Sequence, residues 1–235
     1  MQISAERQGA ITVLTMDDGN KNALNIEGFE MLAGAFDDVE EDASAIVLTG
    51  REDIFTAGLD LKFMQQASAD ELHELLVVFG ETLMRIWLEP RPTVCAANGH
   101  AIAAGSMLAM ACDHAVAAEG DFRWGLTETQ IGFQLPHFGI ALSRHNLRQD
   151  RLEDLLLPGA IVGPVDAVEA GFADELAPPD EVLDRAIGRA TELGELPATA
   201  YAGTKRRLRG MAAEAVRQGL DDDISVLLEA MPQEG

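Results

Sequence analysis

Two short apolar runs constrain the fold of this chain most strongly. Residues 45–50, AIVLTG, and residues 92–99, PTVCAANG, hold few polar side chains and are bounded by glycine or proline. Such runs are typical of strands that are buried on both faces, as in a parallel sheet. Between them, ADELHELLVVFGETLMRIWLE is apolar at helical spacing and must end before Pro90 and Pro92. The sequence therefore predicts an α/β fold with parallel strands.

The flanking segments extend this pattern. The first eighteen or so residues predict two strands around Gln8 and Gly9, a hairpin signal, and residues 26–36 are apolar at helical spacing. AAGSMLAMAC opens a helix directly after the second apolar run, and residues 113–124 are consistent with two short strands around Glu119 and Gly120. Helices are then predicted at residues 164–170, 179–193, 198–218 and 221–230. We expect an α/β core over residues 1–195 and a helical C-terminal region over residues 196–235.

Composition excludes several classes of partner. The chain of 235 residues has a formal net charge of −23, which repels nucleic acid and anionic membrane surfaces. It contains no apolar run of the roughly 18–20 residues that a membrane helix needs, and its N-terminus lacks the pattern of a secretory signal. With two cysteines and no disulfide framework, a cytoplasmic location is expected. The basic cluster TKRRLRG, residues 204–210, fits a solvated helix face, or a contact for phosphate or another subunit.

Two predicted strand-to-helix junctions are candidate sites. They are FTAGLDLKFM, residues 55–64, and NGHAIAAGSM, residues 98–107. Such a junction leaves backbone N–H groups unpaired and carries the positive end of a helix dipole. Two junctions side by side would make a cradle for a developing oxyanion, although each alone is more often a tight turn.

Other chemistries find no support in the sequence. Neither junction has the Gly-Lys-Ser/Thr ending of a phosphate-binding loop, nor Gly-x-Gly-x-x-Gly in its dinucleotide setting. The five histidines and two cysteines lack metal-ligand spacing, so no metal is expected. AAGSMLA does not supply the Gly-x-Ser-x-Gly of a serine hydrolase, and we interpret Ser106 as a helix residue with a local hydrogen bond.

Three motifs resemble those of one enzyme family. FTAGLDLKFM, NGHAIAAGSMLAMACD and GLTETQIGF occur in the order and spacing of the crotonase superfamily, the enoyl-CoA hydratase/isomerase fold. NALN, AIVLTG and VDAVEAGFADEL support the resemblance, which covers roughly residues 1–215. It implies a spiral of ββα units with a helical C-terminal part, and an acyl-CoA thioester as substrate with no further cofactor.

The resemblance assigns roles to individual residues. It implies that the backbone N–H groups of Leu59 and Ala104 form an oxyanion hole, although the family usually has glycine at the Ala104 position. It places Lys62 near the nucleotide part of coenzyme A, in one loop with Ala57 and Asp60. A surface lysine is an equal alternative for Lys62, and for Asp60 we favour hydrogen bonds that fix the loop.

Two glutamate positions distinguish the hydratases of this family from its isomerases. Hydratases use two glutamates to orient and protonate water, and the resemblance matches one to Glu128 and the other to Met107. One carboxylate with an apolar partner resembles the Δ3,Δ2-enoyl-CoA isomerases, in which one base removes a proton at C2 and returns it at C4. The nearby Leu126, Ile131 and Phe133 predict an apolar wall that raises the pKa of Glu128.

Several alternatives stay open. The chain could be a hydratase or catalyse another crotonase reaction such as thioester hydrolysis or decarboxylation, or it could be a non-catalytic binding module. Met107, Phe133 and His137 are candidates for the acyl pocket, with core filling and a structural histidine as the alternatives. The resemblance implies a homotrimer or a dimer of trimers. The C-terminal trimerisation region is shortened, and residues 205–209 could compensate by meeting coenzyme A phosphates.

Overall fold

The computed structural model describes residues 1–51 and 54–230, so the end of the C-terminal region, residues 231–235, lies outside the described residues. The elements follow in chain order: β1 (Gln2–Gln8), β2 (Ile11–Asp17), α1 (Ile26–Asp37), β3 (Ala45–Thr49), α2 (Leu61–Gln66), α3 (Ala69–Trp87), β4 (Thr93–Ala97), β5 (Ala101–Ile102), α4 (Ala104–Ala111), β6 (His114–Ala118), β7 (Trp124–Gly125), a 3-10 turn (Glu128–Ile131), α5 (His137–Asn146), α6 (Leu152–Leu156), α7 (Pro164–Ala170), β8 (Glu175–Ala177), α8 (Val182–Gly194) and α9 (Ala198–Glu229).

A six-stranded sheet in the order β1-β2-β3-β4-β6-β8 forms the core. The β1–β2 hairpin is antiparallel and every other pair is parallel, as the two apolar runs predict. Every residue of β3 and β4 is buried, because helices cover both faces of the sheet. Val47 and Val94 pack under α8, whereas their neighbours Leu48 and Cys95 face the core beneath α1, α3 and α4. The α/β class with parallel strands and a helical C-terminal part is confirmed.

The prediction of two short strands around Glu119 and Gly120 is confirmed. The two strands do not pair with each other. β6 joins the main sheet between β4 and β8, whereas β7 pairs in parallel with β5 in a separate two-stranded sheet. The chain therefore leaves the main sheet after β6 and enters a second layer, which is where the candidate site lies.

The prediction of two C-terminal helices is wrong, because α9 is continuous over 32 residues. The predicted break fell at Gly219, a residue that costs about 1 kcal/mol in a helix interior. Packing overrides this cost, because Val216, Leu220 and Ile224 are buried on one side of α9, which packs on α3 and α5. No helix within residues 1–51 and 54–230 is long and apolar enough to cross a membrane.

A buried ion-pair network anchors α9 to the core. Asp113, at the end of α4, accepts hydrogen bonds from Lys205 Nζ at 2.6 Å, Arg209 Nη1 at 2.6 Å and the Tyr201 hydroxyl at 2.9 Å. Lys205 also donates to the carbonyl oxygens of Glu89 and Arg91 at the end of α3. The solvated-face interpretation of residues 204–210 is therefore wrong for Lys205 and Arg209, and these two side chains are already engaged within the fold.

The neighbouring residues of the same cluster behave differently. Arg206 and Arg207 project from α9 into solvent, since the helix turns them away from Asp113. They line an open groove with Leu88 and Pro90 at the end of α3. Contact of this cluster with coenzyme A phosphates is therefore a role that only the exposed arginines could fill.

Replacing Asp113 by asparagine should destabilise the protein strongly. The substitution preserves side-chain size but leaves Lys205 and Arg209 buried without their counter-charge, which costs about 3–5 kcal/mol. Urea unfolding would measure the loss. The matched control is Asp150→Asn, which breaks an exposed pair with Arg148 and should leave the melting temperature unchanged. Equal effects of the two substitutions would contradict the anchoring role of Asp113.

Candidate active site

A short ladder of backbone pairings brings four distant segments together. Thr56 pairs with Ala101, β5 pairs with β7, and Trp124 pairs with Val162. Both predicted junctions and the segment that carries Glu128 are therefore neighbours in the second layer. We refer to these pairings below as the short ladder.

In the first junction, the backbone N–H of Leu59 points away from Leu24, the residue with which this stretch pairs. Leu24 donates to the Gly58 carbonyl at 2.9 Å and accepts from the Asp60 N–H at 2.8 Å. Because both bonds involve the residues that flank Leu59, the N–H of Leu59 points to the opposite side. Within the described part of the chain it has no hydrogen-bond acceptor.

Close contact between the two junctions requires Gly58. Its φ is +86°, and a Cβ at this position would lie 3.1 Å from the Ile102 carbonyl oxygen and 3.7 Å from the Ala104 nitrogen. A larger residue would push the second junction away. The Leu59 loop and the start of α4 are therefore in direct contact.

The second junction presents the N–H of Ala104 at the first position of α4. This N–H also has no acceptor among the described residues, as expected in the first turn of a helix. Ala104 is helical and has no positive φ, so its conformation is an ordinary one for an alanine. The strained residue is Ala103, with φ 51° and ψ −114°, a conformation that normally requires glycine.

Glu128 lies in an apolar environment at the first position of the 3-10 turn. It is 8% exposed, and its Oε2 atom is buried without a hydrogen-bond partner among the described residues. Burial raises the pKa of Glu128 to about 7, against an ordinary value of 4.5. Leu126 and Phe133 are buried as predicted, but Ile131 is 65% exposed and is not part of the wall. The 3-10 turn directs Ile131 outward while it directs Glu128 inward.

Met107 and Phe133 are both buried, whereas His137 is on the surface. A Cβ on Gly139 would lie 3.2 Å from Met107 Cε, so Met107 extends from α4 to the first turn of α5. His137 is 73% exposed, and both its N–H and its Nδ1 atom lie within 3.0 Å of the Asp223 carboxylate on α9. This pairing caps α5 and favours the structural role for His137.

The candidate coenzyme A residues lie around the start of α2. Ala57 and Lys62 are exposed, and Ala57 donates its N–H to the Lys21 carbonyl. Asp60 accepts from the N–H groups of Lys62 at 2.9 Å and Phe63 at 3.2 Å. Asp60 therefore fixes this loop through backbone hydrogen bonds as the N-cap of α2. In residues 1–51 and 54–230, no three His, Cys, Asp or Glu side chains are grouped so as to hold a metal ion.

The arrangement combines two outward N–H groups with one carboxyl group whose pKa is near neutrality. Such a set can bind a carbonyl oxygen, remove a proton from the adjacent carbon and stabilise the enolate that results. Sequence reasoning did not anticipate that Ser106 joins the two halves of this site. Its hydrogen bonds reach a strand nineteen positions away along the chain, for which no local signal exists.

Comparisons with known proteins agree with this geometry. A family model described as enoyl-CoA hydratase/isomerase matches residues 6–234. A Thermus thermophilus protein named as an enoyl-CoA hydratase is 33% identical over 222 residues, which are 92% of this chain and 87% of that protein. The solved structure of a Mycobacterium tuberculosis enoyl-CoA isomerase has a TM-score of 0.89 at 32% identity and covers 95% of this chain and 97% of its own. Human mitochondrial Δ3,Δ2-enoyl-CoA isomerase, with a TM-score of 0.91 over 97% of this chain and 91% of its own, shares the fold at 24% identity.

Replacing Ala103 by glycine should stabilise the protein. Glycine adopts a φ of 51° without strain, and relief of that strain outweighs the greater freedom of glycine in the unfolded chain. We expect the free energy of unfolding to rise by about 1 kcal/mol, measured by urea unfolding. Ala109→Gly, in the interior of the same helix, is the control and should destabilise by about 1 kcal/mol. A loss of stability in both variants would mean that Ala103 is not strained.

Replacing Glu128 by glutamine should change how stability depends on pH. Because folding raises the pKa of Glu128 from 4.5 to about 7, its stabilising contribution is complete below pH 4.5 and is lost as the pH rises through 7. Glutamine does not titrate, so the variant should gain about 3 kcal/mol relative to wild type between about pH 4 and pH 9. Denaturant unfolding at both pH values would measure this gain, with the exposed Glu119→Gln as a control that shows none. A difference that is independent of pH would refute the shift.

Proposed function

Because this chain belongs to the enoyl-CoA hydratase/isomerase family, we propose that it is a Δ3,Δ2-enoyl-CoA isomerase with Glu128 as its single acid–base group. As a member it is an enzyme that acts on coenzyme A thioesters. One observation carries the finer assignment. The buried carboxyl group of Glu128 has an oxygen with no partner among the described residues, and the family resemblance matches the buried, apolar Met107 to the second glutamate of the hydratases.

The proposed reaction needs a base that works at two carbons in turn. Ionised Glu128 removes a proton from C2 of a 3-enoyl-CoA, and the electron pair of the C–H bond moves into the thioester as an enolate. The enolate then collapses with a shift of the double bond to C2–C3, and C4 takes the proton back from Glu128. A pKa of about 7 suits this cycle, because the group both accepts and returns a proton near neutral pH.

The N–H groups of Leu59 and Ala104 are the proposed donors to the enolate oxygen. Two features support this role: both N–H groups lack acceptors in the described chain, and Gly58 brings their loops into contact. Loss of one donor of this kind costs about 3–4 kcal/mol of transition-state stabilisation. The N-terminal end of α4 adds a favourable dipole at the same point.

Hydration of a 2-enoyl-CoA is the competing function, and the name of the Thermus thermophilus relative favours it. Hydration needs a water molecule that is held and polarised by a second group beside Glu128. Met107 offers neither a proton donor nor an acceptor for this purpose. The Mycobacterium tuberculosis relative is described as an isomerase in one solved structure and as a probable hydratase in another, so the preference for isomerisation rests on Met107.

The remaining site assignments follow from the same proposal. The exposed Lys62 and Ala57 would meet the coenzyme A moiety at the start of α2, and the buried Met107 and Phe133 would border the acyl chain. A local cation matters here, since the net charge of −23 opposes an anionic substrate. The homotrimer, or dimer of trimers, that the resemblance implies stays a prediction.

Product analysis tests the proposed function directly. The protein is incubated with 3-enoyl-CoA and 2-enoyl-CoA esters of several lengths, and products are identified by mass and NMR. We expect interconversion of the two enoyl isomers, with kcat lowered by about 10²–10⁴-fold in Glu128→Gln. The exposed Glu119→Gln serves as the matched control and should retain full activity. Formation of 3-hydroxyacyl-CoA as the main product would instead establish a hydratase.

A further inference from the structure

We propose that Ser106 is a positioning residue that sets the Glu128 carboxylate relative to the N–H of Ala104. The inference rests on the proposed isomerase function, since it concerns how the two halves of that site are held together. Ser106 itself does not contact the reacting atoms in this proposal. It acts through the backbone of Gly125, three residues before Glu128.

The Ser106 hydroxyl group joins residues 103–106, which present the Ala104 N–H and are called the donor turn below, to β7, the strand that leads to Glu128. Ser106 is fully buried, and its Oγ donates to the Ala101 carbonyl at 2.5 Å and accepts from the Gly125 N–H at 3.0 Å. Ala101 belongs to β5, Ser106 to the first turn of α4 and Gly125 to β7. The hydroxyl therefore uses both its donor and an acceptor site to connect three elements.

A second hydrogen bond holds Gly125 through its carbonyl oxygen. Ala103 donates its N–H to the Gly125 carbonyl oxygen at 2.8 Å, so the donor turn binds both polar groups of Gly125. The β5–β7 pairing is only two residues long, which leaves few other bonds to fix the relative position of the strands. The Ser106 bond is consequently a large share of what couples the donor turn to Glu128.

Gly125 has no room to move toward residues 160–162. Its φ is +144°, and a Cβ at this position would lie 2.2 Å from the Ala160 carbonyl oxygen, so the backbone is pressed against the 160–162 segment. Without the serine hydroxyl, the Gly125 N–H would depend on the two-residue β5–β7 ladder alone, and the buried Ala101 carbonyl would lose a donor. Residues 125–128 would then loosen from the start of α4 on the side away from residues 160–162, and Glu128 would move with them.

The predicted consequence is a defect in chemistry and not in binding. A misplacement of about 1 Å can cost about 100-fold in rate. For Ser106→Ala we expect kcat to fall about 10- to 100-fold while KM stays within about twofold of wild type, since Ser106 does not face the substrate. Ser106→Cys keeps a weak donor and acceptor at the same place and should restore part of the lost kcat.

A second buried serine provides the matched control. Ser143 is also fully buried, and its Oγ donates to a backbone carbonyl, that of Gly139 at 2.7 Å. This bond lies within α5 and joins no separate elements. Ser143→Ala should therefore lose stability like any buried serine but keep the wild-type kcat. If Ser106→Ala and Ser143→Ala gave the same kcat, the positioning role would be wrong.

An NMR titration of the Glu128 carboxyl group gives a readout that does not depend on turnover. Loosening of the segment admits water, so the pKa of Glu128 should fall toward the ordinary glutamate value in Ser106→Ala and stay unchanged in Ser143→Ala. Should Ser106→Ala fail to fold, Ser106→Cys carries both measurements. If the wild type is active but neither kcat nor the pKa of Glu128 changes in Ser106→Ala or Ser106→Cys, the proposal is wrong. An inactive wild type whose Glu128 pKa still responds to Ser106 would overturn the isomerase function and leave the positioning role standing.

Discussion

The short ladder is the constraint on which the rest of the site depends. The main sheet places the ends of β3 and β4 side by side, but it does not align the loops that follow. Alignment comes from the few backbone pairings between Thr56, Ala101, Trp124 and Val162. A pairing between backbones does not depend on side-chain identity, so a substitution at a position such as Met107 need not move the loops that carry the Leu59 and Ala104 N–H groups.

The site is built from features that each cost stability. Ala103 is held in a conformation that suits glycine, and the Glu128 carboxyl group is buried with one oxygen unpaired. Both costs are borne by well-packed surroundings, namely the doubly covered sheet and the network around Asp113. The arrangement agrees with the general finding that strain and unsatisfied groups persist only where neighbouring structure fixes them.

Local patterns predicted most elements, and long-range contacts account for the failures. Apolar runs and helical spacing were sufficient for β3, β4 and α3, because these signals lie within one segment. The separate pairing of β6 and β7, the continuity of α9 and the burial of Lys205 and Arg209 all depend on partners far along the chain. For the candidate site, the motif resemblance proposes Glu128, Leu59 and Ala104, and their roles stay predictions. It could not reveal that Ala103 carries the strain, that Ile131 faces solvent or that Ser106 joins β5 to β7.

The helices on the two sides of the site, α2 and α4, differ in how deeply their side chains are buried. α2 begins two residues after Leu59 and only partly buries Phe63 and Met64 against the core, while every residue of α4 on the opposite side is buried. An element with so little buried surface opens at a small fraction of the free energy of global unfolding. α2 is therefore expected to move more easily than α4. A ligand that pressed on both helices would displace α2 before it displaced the start of α4.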